Sequence, residues 1–283
     1  TDASVLILGE NGTGKDLIAR AIHENSLRKD KPFVKVDVGA LTESLFEGEL
    51  FGHKKGAFTD AREDRTGLFE AANGGTLFLD EIGNITLPQQ ARLLTALQNR
   101  QITPLGSNKP VPVNIRLICA TNVGLPVLAD ESRFRKDLIY RINTVEIHVP
   151  PLRERENDVV LLAKHFTELY ADKYFKPECS FDEGFLNKLK TYPFPGNVRE
   201  LQHALERTVI MGESTVLSAE DLVFSNLEPA SGFSMPSEGN LEEIEKNTII
   251  RVLEKNKGNI SKSASELGIT RAALYRRLSK YGL

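Results

Sequence analysis

The chain has 283 residues, a net charge of −3, 40% hydrophobic and 27% charged residues. That length predicts two or three domains with packed cores, and the near-balanced charge excludes a globally basic nucleic-acid binder, so any DNA signal must be local. Two cysteines, Cys119 and Cys179, exclude a disulfide framework. No apolar stretch has the length of a membrane span and none reads as a signal peptide. The composition is that of an ordinary soluble protein, and a cytoplasmic location is expected. The chain opens at Thr1 almost on its first strand, so a longer protein with an upstream regulatory domain is expected.

Val5-Leu6-Ile7-Leu8 is an apolar run, followed by Gly9-Glu10-Asn11-Gly12-Thr13-Gly14-Lys15-Asp16 and a helical pattern from Leu17 to Ile22. Strand, glycine-rich loop and helix in that order spell the phosphate-binding loop of NTPases, G-x-x-x-x-G-K. Glycines let backbone N–H groups curl round a phosphate. The helix N-terminus adds partial positive charge, and Lys15 reaches the outer phosphates. Asp16 stands where a magnesium-binding hydroxyl usually sits, and a carboxylate holds that ion directly or through water. The helix should run to about His23, and Pro32 to Asp37 should be a second strand, buried on both faces. Thr42 is the expected cap of a helix reaching Leu50.

Phe51 to Ala61 suits neither a core helix nor a core strand. It reads either as a solvated hairpin loop or as a loop presenting Phe58 and Thr59 to a partner. Thr76-Leu77-Phe78-Leu79 then runs into Asp80-Glu81, a buried strand ending in two acids. After a phosphate-binding loop, Asp80 is expected to hold magnesium and Glu81 to take a proton from the attacking water.

Pro88 to Gln98 is an amphipathic helix with Leu93, Leu94 and Leu97 inward. Val113 to Ala120 is another core strand, in which Cys119 reads as a buried thiol. It ends at Thr121-Asn122, at the end of a parallel sheet where ligands bind. Asn122 is either a water-orienting or phosphate-sensing residue or a plain strand terminator. Arg135 and Arg141, six residues apart, do not share a helix face. They are either solvated or act as arginine fingers across a subunit boundary, which requires a head-to-tail ring. After Pro150-Pro151 the pattern is helical, with helices over Asp158 to Tyr170, near Glu183 to Thr191, and from Asn197 onward. Asn197 is the expected cap of the last. Arg199 in its first turn opposes the helix dipole, which a bound polyphosphate would offset, so it reads as a nucleotide sensor ahead of a surface arginine.

Ser225 to Asn240 has linker composition. A helix with Leu241, Ile244, Thr248, Ile249 and Val252 on one face follows, then a short helix capped by Ser261, the turn Gly268-Ile269-Thr270, and a last helix capped by Thr270. This is helix-turn-helix with the last helix as reader. From Lys257 onward six basic residues stand against one acid, Glu266. Thr270, Arg271, Tyr275, Arg276, Arg277 and Lys280 are the expected DNA-facing residues, while Leu274 and Leu278 belong to the core.

Read together, GENGTGKD, ELFGHKKGAFTDA, GGTLFLDEIGN, ICATN, FRKDLIYRIN, PPLRERENDV and YPFPGNVRELQ resemble the AAA+ bacterial enhancer-binding proteins that activate sigma-54 RNA polymerase. The C-terminal segment resembles their Fis-type DNA-binding domain. The resemblance implies an α/β AAA+ P-loop NTPase with a parallel sheet over 1–150, a helical lid over 151–224, a linker over 225–240 and a helix-turn-helix domain over 241–283. It implies ATP and Mg2+ as ligands, with nucleotide held by Gly9 to Asp16 and Arg199, magnesium by Asp80 and Asp16, and catalysis by Glu81, Asp80, Arg135, Arg141 and Asn122. Gly56, Ala57, Phe58 and Thr59 match the loop that engages sigma-54. Implied partners are sigma-54 RNA polymerase, double-stranded DNA at enhancer-like sites, and further copies of the chain, as a hexameric ring when active and a dimer when inactive. A two-component system is the implied setting.

Three residues depart from the family pattern. Asp60 replaces the second glycine of GAFTGA, Asp37 replaces an asparagine, and Asp16 replaces a glutamate. Asp60 supports the alternative of an AAA+-fold DNA-binding regulator independent of sigma-54. A DNA-processing motor such as a helicase loader is a further alternative, against which the helix-turn-helix argues.

Overall fold

A computed structural model of the protein describes residues 1–58, 61–212, 214–224, Ile249, Leu253, Asn256, 259–266 and 270–281. Thr59 and Asp60, the 225–240 linker, most of the 241–252 helix, Lys257 and the turn at 268–269 lie outside the described residues. The chain divides into two units, Thr1–Ser225 and Asn226–Leu283.

Five strands make the central sheet: β1 (Val5–Leu8), β2 (Phe33–Asp37), β3 (Thr76–Asp80), β4 (Arg116–Thr121) and β5 (Val145–His148). All pairings are parallel, in the order β2-β3-β4-β1-β5. Side chains alternate across the sheet. Leu6, Leu8, Leu77, Leu79, Leu117 and Cys119 therefore enter one core, while Val5, Ile7, Phe78, Ile118 and Ala120 enter the other. Helix α1 (Lys15–Glu24) covers the second face through Ala19. Helices α2 (Glu43–Phe51), α3 (Leu87–Asn99) and α4 (Lys136–Ile142) cover the first through Phe46, Leu93 and Leu138. Two covered faces are what an all-parallel sheet requires, and they explain the near-continuous apolar runs. Cys119 is fully buried, and burial pushes its thiol up.

Two expectations about the strands need correction. β2 is an edge strand, with only Val36 buried along it, because it ends the sheet order and pairs with β3 on one side only. β4 begins at Arg116 and not Val113, since Val111–Pro112 pairs antiparallel with Gln101–Ile102 in a separate hairpin.

The lid comprises α5 (Asp158–Lys173), α6 (Glu183–Thr191) and α7 (Asn197–Met211) around Phe185, Leu189, Phe194, Leu201 and Leu205. Asp182 caps α6, accepting from the Phe185 N–H at 2.6 Å. Asn197 does not cap α7: Gly196 holds that position, and the Glu200 carboxylate accepts the Gly196 N–H at 2.9 Å. The Asn197 amide is withdrawn for contacts described below.

In the second unit, α8 (Ile260–Glu266) precedes α9 (Arg271–Tyr281). Thr270 caps α9, its hydroxyl accepting the Ala273 N–H at 3.2 Å. Asn259, not Ser261, caps α8, accepting the Lys262 N–H at 3.2 Å, because the helix starts one residue before Ser261. Leu274 and Leu278 pack with Ile249 and Ala264, as their spacing implied. No described helix is long and apolar enough to cross a membrane.

Candidate active site

The sheet order reverses next to β1, so the crevice lies above the carboxyl ends of β1 and β4. There the Gly9 N–H donates to the Thr121 carbonyl at 3.2 Å, joining the two strand ends. The loop turns with Gly12 at φ 78° and Gly14 at φ 94°, conformations that suit glycine. Lys15 opens α1 and is 7% exposed. Its ammonium donates to the Gly9 carbonyl at 2.8 Å and the Glu10 carbonyl at 3.2 Å, and stands 3.9 Å from the Glu81 carboxylate. Burial pushes the Lys15 pKa down, against the pull of Glu81 and Asp80. Burial pushes Glu81 up, opposed by Lys15 and reinforced by the neighbouring Asp80 and Asp37. Glu81 itself sits at φ 54°, a rare backbone state for a side-chain-bearing residue. Its amide donates to Asp80 Oδ1 at 3.1 Å.

Asp37 and Asp80 are register partners on β2 and β3, so their carboxylates end the strands side by side. Asp37 accepts the Ala40 N–H at 3.1 Å. Lys35, two residues earlier, places its ammonium 3.4 Å from Asp16 Oδ2 and 3.7 Å from Asp80 Oδ2. The two carboxylates expected to share magnesium therefore already converge on one cation. Hard carboxylate oxygens are the donor type magnesium takes, and it completes its shell with waters and substrate phosphates. Among the described residues no three His, Cys, Asp or Glu side chains could hold a metal by themselves.

A cleft of about 450 Å³ is lined by the loop from Asn11 to Leu17, by Lys35, Asp37, Asp80 and Glu81, and by Phe166, Val198, Arg199 and Gln202 of the lid. Arg199 faces the phosphate-binding loop, and its backbone N–H donates to the Gly12 carbonyl at 3.3 Å. The lid is fastened to the loop by further contacts that sequence reasoning did not foresee. Glu10 receives Arg153 through two bonds of 2.9 and 2.6 Å. These contacts, with a bond from Asn197, hold the Glu10 carboxyl below the usual range. Asn197, fully buried at φ 53°, accepts the Leu152 N–H at 2.8 Å and donates to Glu10 Oε2 and the Asn11 carbonyl, both at 3.0 Å. Arg155 donates to the Thr13 carbonyl at 2.9 Å. A Cβ on Gly12 would lie 2.3 Å from the Gly196 carbonyl, so only glycine fits this contact. The sequence signal was present in Arg153-Glu154-Arg155 and Gly196-Asn197, but their partners are over 140 residues away along the chain.

Other expected site residues lie outside this cleft. Arg135 precedes α4 and pairs with Asp137 at 2.7 Å. Arg141, in the last turn of α4, donates to the Leu97 carbonyl at 2.9 Å. Neither lines the chain's own crevice. Asn122 follows β4 and is exposed. Gly52–His53 pairs antiparallel with Arg65–Thr66 at the base of the Phe51–Ala61 loop. Lys54 bonds Asp64 at 2.7 Å, and the Gly56 N–H reaches the Ala61 carbonyl at 2.8 Å. Ala57 packs on Gly106, and Phe58, 46% exposed, packs edge-on against His53 with centroids 4.9 Å apart. In the second unit Arg271, Tyr275, Arg276 and Lys280 are exposed along α9, while Arg277 is half-buried and donates to the Ala273 carbonyl at 3.5 Å.

Residues 1–148 match the sigma-54 interaction domain family. The chain belongs to that family. Residues 153–234 match the AAA+ ATPase lid domain and residues 240–281 the bacterial regulatory protein Fis family. The chain is 45% identical over 292 residues to the regulatory protein AtoC of Escherichia coli K12, covering 100% of itself and 63% of AtoC. It is 42% identical over 290 residues to the response regulator PilR of Pseudomonas aeruginosa, covering 100% of itself and 65% of PilR. The crystal structure of Brucella abortus NtrX in complex with ATP superposes with a TM-score of 0.74 at 32% identity, covering 100% of this chain and 64% of that one. The chain thus spans under two thirds of the length of these relatives. The AAA+ fold with its lid, expected from the motifs, is the observed fold.

Proposed function

We propose that the protein is an ATP-hydrolysing, DNA-bound activator that remodels sigma-54 RNA polymerase at closed promoters. The observation that carries this reading is the convergence of Lys15, Asp80, Glu81 and Arg199 on one cleft in a chain of the sigma-54 interaction family. ATP is the substrate, and its phosphates enter along the N–H groups of Gly9 to Lys15. Lys15 exchanges its two loop carbonyls for phosphate oxygens, and Arg199 meets the chain of phosphates from the lid side. Water attacks the terminal phosphorus, the bond to the bridging oxygen breaks, and Glu81 takes the water proton. Asn122 orients that water. Asp80, with Asp16, would hold Mg2+, whose contribution when bound is to neutralise charge on the phosphate oxygens.

Arg135 and Arg141 stand away from their own cleft, which suits a donation to a neighbouring copy in a hexameric ring. The domain assignment follows as 1–150 for the ATPase core, 151–224 for the lid, 225–240 for the linker and 241–283 for DNA binding. Gly56, Ala57, Phe58 and Thr59 contact sigma-54. Thr270, Arg271, Tyr275, Arg276, Arg277 and Lys280 face DNA, on paired half-sites.

The test is retention of sigma-54 holoenzyme by the protein locked with a transition-state analogue of ATP hydrolysis, alongside promoter opening on templates carrying the upstream sites. Analogue-dependent retention and ATP-dependent opening are expected. ATPase activity without retention would replace this reading with that of a regulator independent of sigma-54.

A further inference from the structure

We infer that Lys35 is a built-in competitor of the divalent cation, an ammonium that neutralises the carboxylates until nucleotide brings the metal. The inference rests on the reading of the cleft as a magnesium–nucleotide site. Lys35 and Asp37 lie two apart on β2 and so share a face, and their register partners on β3 are Phe78 and Asp80. The Lys35 stem consequently crosses the Phe78 ring, with the ammonium 5.8 Å from its centroid. The head reaches Asp16 across the crevice and Asp80 beside it, at 3.4 and 3.7 Å.

Without that ammonium, Asp16, Asp37, Asp80 and Glu81 would face one another with Lys15 and Arg199 as the remaining cations of the cleft. Such a site would attract a bare divalent ion and repel an approaching polyphosphate. Lys35 corrects both effects. It is 44% exposed on an edge strand, so it has room to swing away when a doubly charged ion takes its place. Lys35 thus adds a positive charge to the cleft that Asp37 makes more acidic, while pairing with Asp16 and Asp80.

The experiment measures Mn2+ binding to the full chain by electron paramagnetic resonance, with and without a non-hydrolysable ATP analogue, and analogue binding by calorimetry. Lys35→Met and Lys35→Gln both remove the charge, so a folding defect peculiar to either is visible in the other. Lys35→Arg keeps it. Both neutral variants should bind Mn2+ about three- to tenfold more tightly, the scale of two exposed ion pairs, and the arginine variant should match the parent. The gain should be larger without nucleotide and should shrink in salt. Unchanged or weaker Mn2+ binding in both neutral variants overturns the inference. Metal-free analogue binding should weaken in both neutral variants, because the bare carboxylates repel polyphosphate, and unchanged or tighter metal-free binding overturns the inference. If the parent and all variants bind neither Mn2+ nor analogue, the reading of the cleft falls and the inference falls with it.

Discussion

Asn197 is the residue whose replacement most directly tests how the lid is held on the phosphate-binding loop. It is fully buried, and its amide bridges Leu152, Glu10 and Asn11. Asn197→Ala leaves the buried Leu152 N–H without its acceptor, which costs about 1–3 kcal/mol. It also puts alanine at φ 53°, where asparagine is better tolerated, for about 1 kcal/mol more. The sum is about 2–4 kcal/mol. In a unit of this size each kcal/mol shifts the melting temperature by about 2–4 °C, so a fall of roughly 5–15 °C is expected in calorimetry of the nucleotide-free protein. Asn197→Gly relieves the backbone but not the lost bonds, and should recover about 1 kcal/mol of that loss. Asn197→Asp keeps the acceptor for Leu152 but sets a carboxylate against Glu10. Hydrogen exchange at the amides of residues 10–14 should accelerate in all three variants. A melting temperature within 2 °C of the parent for Asn197→Ala, with unchanged exchange in the loop, would refute the latch.

Glu81→Gln should retain nucleotide binding by calorimetry and lose turnover by about 10²- to 10⁴-fold, the usual worth of a general base; undiminished hydrolysis removes Glu81 from that role. Because burial raises the Glu81 pKa, the acid limb of the turnover profile should lie above the usual glutamate range of about 4.3. The native state holds that proton more tightly than the unfolded chain. The stabilisation is therefore complete below the unfolded pKa and is lost as pH rises through the folded one. Melting curves of Glu81→Gln against the parent should accordingly show a stabilised variant at neutral pH and a smaller difference in acid. Deleting residues 238–283 should abolish specific promoter binding in a footprinting assay while leaving ATPase activity at high protein concentration. Retained footprints would locate DNA binding elsewhere.

The local motifs were legible in the sequence because each rests on neighbours along the chain. A strand, a glycine loop and a lysine at a helix start need no distant partner to be recognised, nor does an apolar strand ending in Asp80-Glu81. Period alone was enough to mark the inward leucines of α3 and the buried Leu274 and Leu278 of α9. Only the tertiary structure decided which strand lies at the edge, and so turned an expected buried β2 into one whose Lys35 reaches the crevice. It also reassigned Asn197 from helix cap to bridge, because its three main partners come from residues 10, 11 and 152. Pairings of that kind depend on sheet order and on the return of the chain through the lid. Residue type and spacing specify the elements and the chemistry they carry; which carboxylate meets which cation is decided when distant strand ends and the lid close over one crevice.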